Sequence, residues 1–266
     1  MAIVSISRGP YSGIKVLAER LSEDLGYRLL SREELLANTA EEFGALESQL
    51  ESALQHAPSF LEGRGLGRRH FVYCVQATLA KAIQSDNVVY CGEAGHLLLK
   101  GIPHHLRVRL VAKMEDRVGA AMERCGLARE KAAQYIRESD KALERWVKWV
   151  HGVDFNDLAT VDLALNLEHI PIHGACAIIA EAADRDFRTT PQSQKIVDDL
   201  VIASQIRAKM GLDRGISDER IGIEADDGVV TITANVRFVA EAQRVSELVS
   251  QIPGVKAIES KIETGQ

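Results

Sequence analysis

The feature that most constrains this chain is its opening. Residues 2–7 (AIVSIS) form a short, apolar, β-branched run, and the turn segment RGPYSG follows at once. After it, Ile14, Leu17, Ala18, Leu21 and Leu25 recur at helical spacing and Gly26 marks a stop. A short run this rich in apolar and β-branched residues reads as a strand buried on both faces, as in a parallel sheet. Strand, glycine-containing loop and helix therefore predict a βα unit opening an α/β domain. Further strands are expected at 87–91 (NVVYC), 106–112 (LRVRLVA) and 161–165 (VDLAL). The stretches between them are long enough for right-handed crossover helices.

Residues 31–61 read as polar and mostly helical, ending near Pro58. EGRGLGRRH (62–70) reads as a glycine- and arginine-rich loop, with a helix from about Phe71 to Ser85, and 114–151 reads as helical and heavily charged. The polar stretch DRDFRTTPQSQ (184–194) breaks the pattern and places a boundary there. The expected organisation is a domain over 1–187, a linker over 188–194 and a second domain over 195–266. With 46% hydrophobic residues in 266, each half can bury its own core.

In the second half, a helix carrying Ile196, Leu200, Ile206 and Met210 is expected to stop at Gly211. Ile221, Ile223 and Ala225 then alternate with polar positions, Asp226-Asp227-Gly228 turns, and Val230, Ile232, Ala234 and Val236 alternate again, a hairpin signature. A helix with Val239, Ala242, Val245 and Val249, a Pro253-Gly254 turn and a strand over 255–262 complete an αββαβ module.

The net charge of −6 argues against a nucleic-acid partner. No run of eighteen apolar residues is present, so an integral membrane protein is not expected. MAIVSISRG lacks the build of a secretory signal, and Cys74, Cys91, Cys125 and Cys176 form no C-x-x-C pair. A reducing, cytoplasmic setting is the expectation.

Gly9 to Val16 (GPYSGIKV) partly follows the phosphate-loop pattern G-x-x-x-x-G-K-[ST], whose backbone N–H groups cradle phosphates, whose lysine neutralises charge and whose hydroxyl holds magnesium. The first glycine and Lys15 are present. Ile14 stands where the second glycine belongs, and Val16 where the hydroxyl belongs. An ordinary βα turn with a solvated lysine remains the other reading. Arg64, Arg68 and Arg69 form the densest basic cluster. They suit a nucleotide monophosphate, or else lie in a solvated loop. Trp146 and Trp149, three apart, point to packing, and the histidines show no metal-ligand spacing.

ISRGPYSGIKVLAERLSEDLGYRLLSREEL (6–35) resembles the opening of the cytidylate kinase-like family, S-R-x-x-G-S-G-G-[RK]-x-[IV], with Ser7, Arg8, Ser12, Gly13 and Lys15 in place. NVVYCGEAGHLLL (87–99) is similar to that family's strand ending in G-R-G-A-D, with Glu93 and His96 replacing arginine and aspartate. Residues 107–132 resemble the strand and helix leading to a lid, with Arg117 and Arg124 in place. Residues 139–166 are similar to the lid pattern, with Asp140, Lys141, Arg145, Asp157, Asp162 and Asn166 matching and Leu143 replacing a lid arginine. Residues 195–263 resemble a BON domain, with Gly228, Pro253, Gly254 and Val255 matching and Ala234 standing for a glycine.

The resemblance implies a P-loop kinase-like parallel sheet. ATP would be held by Arg8, Gly9, Ser12, Gly13 and Lys15, with Mg2+ if the protein is active. Lys15, Arg117 and Arg145 would serve transfer, Arg64, Arg68 and Arg69 would hold the substrate, and no residue is assigned to a metal. The BON resemblance implies a ligand, a protein or phospholipid partner, or a homo-oligomer. Two functions follow. One is an ATP-dependent kinase of a nucleoside monophosphate such as CMP. The other is a catalytically degenerate nucleotide sensor or scaffold acting through the BON domain, favoured by the departures at Tyr11, Ile14, Val16, Glu93 and Leu143.

Overall fold

The structure, a computed structural model, describes residues 2–8, 13–55, 66–92, 94–213, 216, 221–236 and 239–264. Two compact units divide the chain. One takes residues 1–35, 54–57 and 85–189, the other 36–53, 58–84 and 190–266.

The first unit is built on a five-stranded sheet in the order β2-β3-β1-β4-β5, from β1 (Ile3–Arg8), β2 (Arg28–Ser31), β3 (Val88–Cys91), β4 (His105–Val111) and β5 (Leu163–Asn166), every pairing parallel. The strands start within two residues of the positions expected from the sequence, except β2. That strand is a four-residue edge strand with one fully buried side chain, Leu30, too short to show a period. α1 (Ile14–Leu25) follows β1 and buries Ile14, Leu17, Ala18 and Leu21, then stops at Gly26, whose φ of 66° forms the left-handed cap. These residues join Val4, Ile6, Leu106, Val108 and Leu110 and, from α8 (Ile172–Asp186), Ala175, Cys176, Ile179 and Ala183 in one core. Between β4 and β5 lie α6 (Met114–Cys125) and α7 (Arg129–His151).

The second unit takes in helices from the chain's first half. α2 (Arg32–Phe43) ends in it, α3 (Glu47–Gln55) begins in it, and α4 (Leu66–Ala82) lies wholly within it, beside α9 (Pro191–Leu212). α4 begins at least five residues earlier than expected, so Arg69 and His70 are helical. Arg64 lies outside the described residues. Glu42 of α2 accepts from Thr78 Oγ1 at 3.3 Å, Lys81 Nζ at 3.1 Å and Gln205 Nε2 at 3.0 Å, joining α2, α4 and α9. Cys74, Ala77 and Ala208 pack between α4 and α9.

α9 starts at Pro191 because Thr190 and Ser193 form a reciprocal cap with proline at the first turn, so 191–194 of the expected linker are helical. The helix also runs through Gly211 and ends at Leu212. Gly211 is a point of close approach, since a Cβ there would meet the His70 ring at 2.9 Å.

β6 (Ile221–Asp226) and β7 (Val229–Val236) form the expected hairpin, and β8 (Ala257–Thr264) pairs parallel to β7, after α10 (Val239–Ser250). Ile202, Ile206, Met210, Ile223, Val230, Ile232, Val245 and Val249 fill this module's core. The architecture is the expected α/β sheet followed by a small αββαβ module.

At the hairpin turn, Lys256 Nζ donates to Asp227 at 2.7 Å and Lys195 Nζ at 3.0 Å. These bonds, Lys256 first, hold the carboxyl down at about 2. An unfolded aspartate titrates near 3.9. A depressed carboxylate contributes stability above its unfolded value and loses it as pH falls through the folded one, so this contribution should fade between about pH 4 and pH 2. Melting temperature should fall more steeply over that window in the wild type than in Asp227→Asn, which keeps a side chain that tolerates the residue's φ of 47°. Parallel slopes would show that the ion pairs contribute nothing, a common outcome for exposed pairs.

Candidate functional site

The site is built from the C-terminal end of the parallel sheet. β1 delivers the chain to the phosphate-loop region. Gly9 to Ser12 lie outside the described residues, as does the Arg8 side chain. Gly13 has φ 74° and caps α1 without a side-chain acceptor. That leaves the first N–H groups of a twelve-residue helix for an anion, with the positive end of its dipole behind them. Lys15 is exposed on the first turn, its Nζ 3.8 Å from Glu19 Oε1. Val16 is 55% exposed and carries no oxygen for a metal. Among the described residues no group of three or more His, Cys, Asp or Glu could hold an ion. A helix end of this kind suits an anion, and Val16 offers no metal ligand where the phosphate-loop pattern has a hydroxyl.

Ile14 stands where the phosphate-loop pattern has its second glycine. It sits in helical conformation with its side chain wholly buried in the core, and Gly13 takes the positive φ instead.

Arg117 of α6 makes a two-pronged bond to Asp140 of α7, with Nη1 to Oδ2 at 2.9 Å and Nη2 to Oδ1 at 2.6 Å. Arg145 lies exposed one helical turn beyond Lys141, whose carbonyl its Nε reaches at 3.2 Å. Lys15, Arg117 and Arg145 therefore stand on three helices, and the lid pair is engaged within the protein. Arg69 is exposed on α4. The side chain of Arg68, like the whole of Arg64, lies outside the described residues. Leu143 is buried in α7, where the lid pattern has arginine. Other matching positions are structural. Asp162 receives Arg107 N, Nε and Nη2 at 2.6–2.9 Å, pinning β4 to the start of β5. Asp157 caps a short 3-10 turn at Leu158–Thr160.

The sequence reading missed one group altogether. Val4, Ile6, Leu106, Val108 and Leu110 face α1 and α8, so by strand alternation Ser5, Ser7, His105 and Arg109 face the other way. That second face is buried and polar. His105 bridges Ser5 Oγ at 2.7 Å and the Leu99 carbonyl at 3.2 Å, and burial pushes its imidazole down to about 4. His96, on the short helix α5 (Gly95–Leu98), is 1% exposed, and burial lowers it to about 3, so it is neutral. Arg109 is 6% exposed, its guanidinium lying 3.8 Å above the Phe155 ring centre. It lines a cavity of about 160 Å3 with Leu110, Val111, Arg117, Asp140, Glu144, Phe155 and Asn156. A charged residue inside the apolar run LRVRLVA was the available signal.

Comparison with known proteins fits this geometry. The model of the cytidylate kinase-like family matches residues 3–169. The chain belongs to the cytidylate kinase-like family. A BON domain model matches residues 198–266. A cytidylate kinase of Methanothrix thermoacetophila is 26% identical over 181 residues, covering 68% of this chain and 96% of that protein. A cytidylate kinase of Sulfurisphaera tokodaii is 26% identical over 168 residues, covering 63% and 87%. The crystal structure of an uncharacterized protein from Eubacterium ventriosum superimposes with a TM-score of 0.53 at 17% identity, covering 69% of this chain and 98% of that one, a likeness of fold. This family member has a kinase-like P-loop fold with a BON domain after it. Residues 36–53 and 58–84 fall within the kinase-family match yet belong to the compact unit that holds the BON module. Among the described residues no helix is long and apolar enough to cross a membrane.

Proposed function

We propose that the N-terminal domain binds the phosphates of ATP at the head of α1 and transfers phosphate feebly to a nucleoside monophosphate of the CMP type. The observation that carries this reading is Gly13. It is left-handed, uncapped and placed between a buried parallel strand and α1, in a chain of the cytidylate kinase-like family. Lys15, two residues on in the first turn of α1, brings a full positive charge, and its exposed side chain is paired with Glu19 in a surface ion pair of small worth. Phosphoryl transfer depends on positioning and charge neutralisation. Here Val16 cannot ligate magnesium and Arg117 is committed to Asp140, so transfer is expected to be slow. We further propose division into a kinase domain to 187 and a BON domain from 195, in the reducing environment that four free cysteines suit.

Leu143 and the Arg117–Asp140 clamp favour a second reading, in which the domain senses nucleotide without transfer and acts through the BON module.

Calorimetric titration with ATP, and phosphate transfer to nucleoside monophosphates, should be measured for wild type and Lys15→Ala. Removing a hydrogen bond to a charged group, worth about 1.5–3 kcal/mol, should weaken ATP binding roughly 10- to 100-fold. Unchanged affinity in Lys15→Ala would remove the phosphate-loop assignment. Rapid transfer by wild type would remove the sensor reading. Absence of ATP binding altogether would leave the N-terminal domain a scaffold.

A further inference from the structure

We propose that Arg109 is the core of an anion site under α6 and α7, taking the phosphate or carboxylate group of a small molecule.

Arginine stays protonated in proteins, so burying it leaves a full charge that must be met by an acceptor. Phe155 meets only the flat face of the guanidinium. The edge donors Nε and Nη2 point in the plane of the group, and neither has a hydrogen-bond partner among the described residues. The carboxylates nearby are engaged elsewhere. Asp140 receives both prongs of Arg117, Glu144 receives Asn156 Nδ2 at 2.9 Å, and Asp154 receives Asn156 N at 2.8 Å. Asp154 favours the charge on Arg109 through space, without a hydrogen bond to it.

A second buried donor stands close by. The His96 ring packs obliquely on Phe155, centre to centre 6.2 Å, and among the described residues neither of its ring nitrogens has a hydrogen-bond partner. The unpaired fork of a buried arginine is the donor set of an oxyanion site, and His96 adds a second polar ring on the other contact of Phe155. The cavity, about 160 Å3, is small beside the roughly 300–1,000 Å3 of sites for whole drug-sized ligands, so it suits one oxyanion group. The phosphate loop is no part of this site, and the two sites can fail separately.

The test is thermal melting of the full chain in chloride buffer, with inorganic phosphate, CMP or cytidine added, for wild type, Arg109→Met, Arg109→Lys and Lys15→Ala. A ligand that binds the folded state raises its melting temperature. Phosphate or CMP should raise that of wild type and Lys15→Ala by at least about 2 °C, while cytidine should not. Arg109→Met should melt no lower than wild type without anion, because an unpaired buried charge is replaced by an apolar chain of similar length. Its response to inorganic phosphate should be lost or clearly smaller than that of wild type. If that variant fails to fold, Arg109→Lys serves, since it keeps the charge but loses the fork and should show a reduced response. A response to CMP alone would mean that the oxyanion arrives on the nucleotide. The proposal is overturned if wild type responds to neither anion, or if the arginine variants respond as fully as wild type. It is also overturned if cytidine acts like CMP, or if the response vanishes in Lys15→Ala and persists in Arg109→Met.

Discussion

Trp146→Ala is expected to destabilise the N-terminal unit by about 3–5 kcal/mol, the usual cost of emptying a fully buried large aromatic position. Trp146 is wholly buried and is the largest such side chain described. Leu143, Trp146 and Val147 are the buried positions of α7's second half, and the other face of that helix is charged and solvated. A helix of this kind is held by its apolar stripe and by little else. His151, one turn on, meets the indole edge-on at 5.7 Å, and burial lowers its imidazole to about 4, so it packs as a neutral ring. α7 also carries Asp140 and Arg145, so an unanchored helix should release Arg117 as well. Denaturant unfolding followed by circular dichroism measures the loss. Trp146→Phe, which refills most of the space, should cost under half as much. A loss below about 1 kcal/mol in Trp146→Ala would show that the stripe does not hold α7 in place.

How much of this was legible can be traced residue by residue. Ile14, Leu17, Ala18 and Leu21 spell α1 at helical spacing, and all four are buried. The alternation of Ile221 to Ala225 and Val230 to Val236 around Asp227-Gly228 gave the hairpin, whose register pairs Asp226 with Val229. Repeating periods survive in a sequence because each repeat buries the same face. Single contacts leave no such trace. Gly211 reads as a helix stop, yet it is there to admit the ring of His70, more than a hundred residues earlier in the chain. Thr190 and Pro191 read as a polar break, although the same letters spell a helix cap.

The site was less legible than the fold. Lys15 and Gly13 could be proposed because a phosphate-loop pattern is local. Arg117 could be placed on its helix, but its clamp depends on Asp140, 23 residues away. Arg109 was hidden because alternation along β4 gives it to one face, and only the packed structure shows that its Nε and Nη2 find no acceptor among the described residues.

Gly228→Val is expected to cost the C-terminal module roughly 2–4 kcal/mol, combining a strained backbone with a steric clash. Gly228 has φ 78° and Asp227 φ 47°, the pair of positive angles that a two-residue hairpin turn requires. Valine resists that region. Its Cβ would also lie 2.8 Å from the Gly254 carbonyl oxygen and 3.0 Å from Lys256 Cγ. The lysine can swing aside, but the carbonyl is backbone and cannot without moving the turn before β8. Three elements converge on this turn. Asp199 of α9 accepts from the N–H groups of Asp227 and Gly228 at 2.8 and 2.9 Å, and Lys256 N donates to the Gly228 carbonyl at 2.8 Å. Distorting it should therefore loosen α9 and β8 together with the hairpin. Gly228→Asn separates the two causes, because asparagine tolerates positive φ while bringing the same Cβ clash. It should fall between glycine and valine. Both tryptophans, Trp146 and Trp149, lie on α7 in the N-terminal unit. Their fluorescence should then report an unshifted transition while the far-ultraviolet signal of the C-terminal module melts early. A C-terminal transition in Gly228→Val that coincides with wild type would show that the turn neither needs glycine nor organises the module.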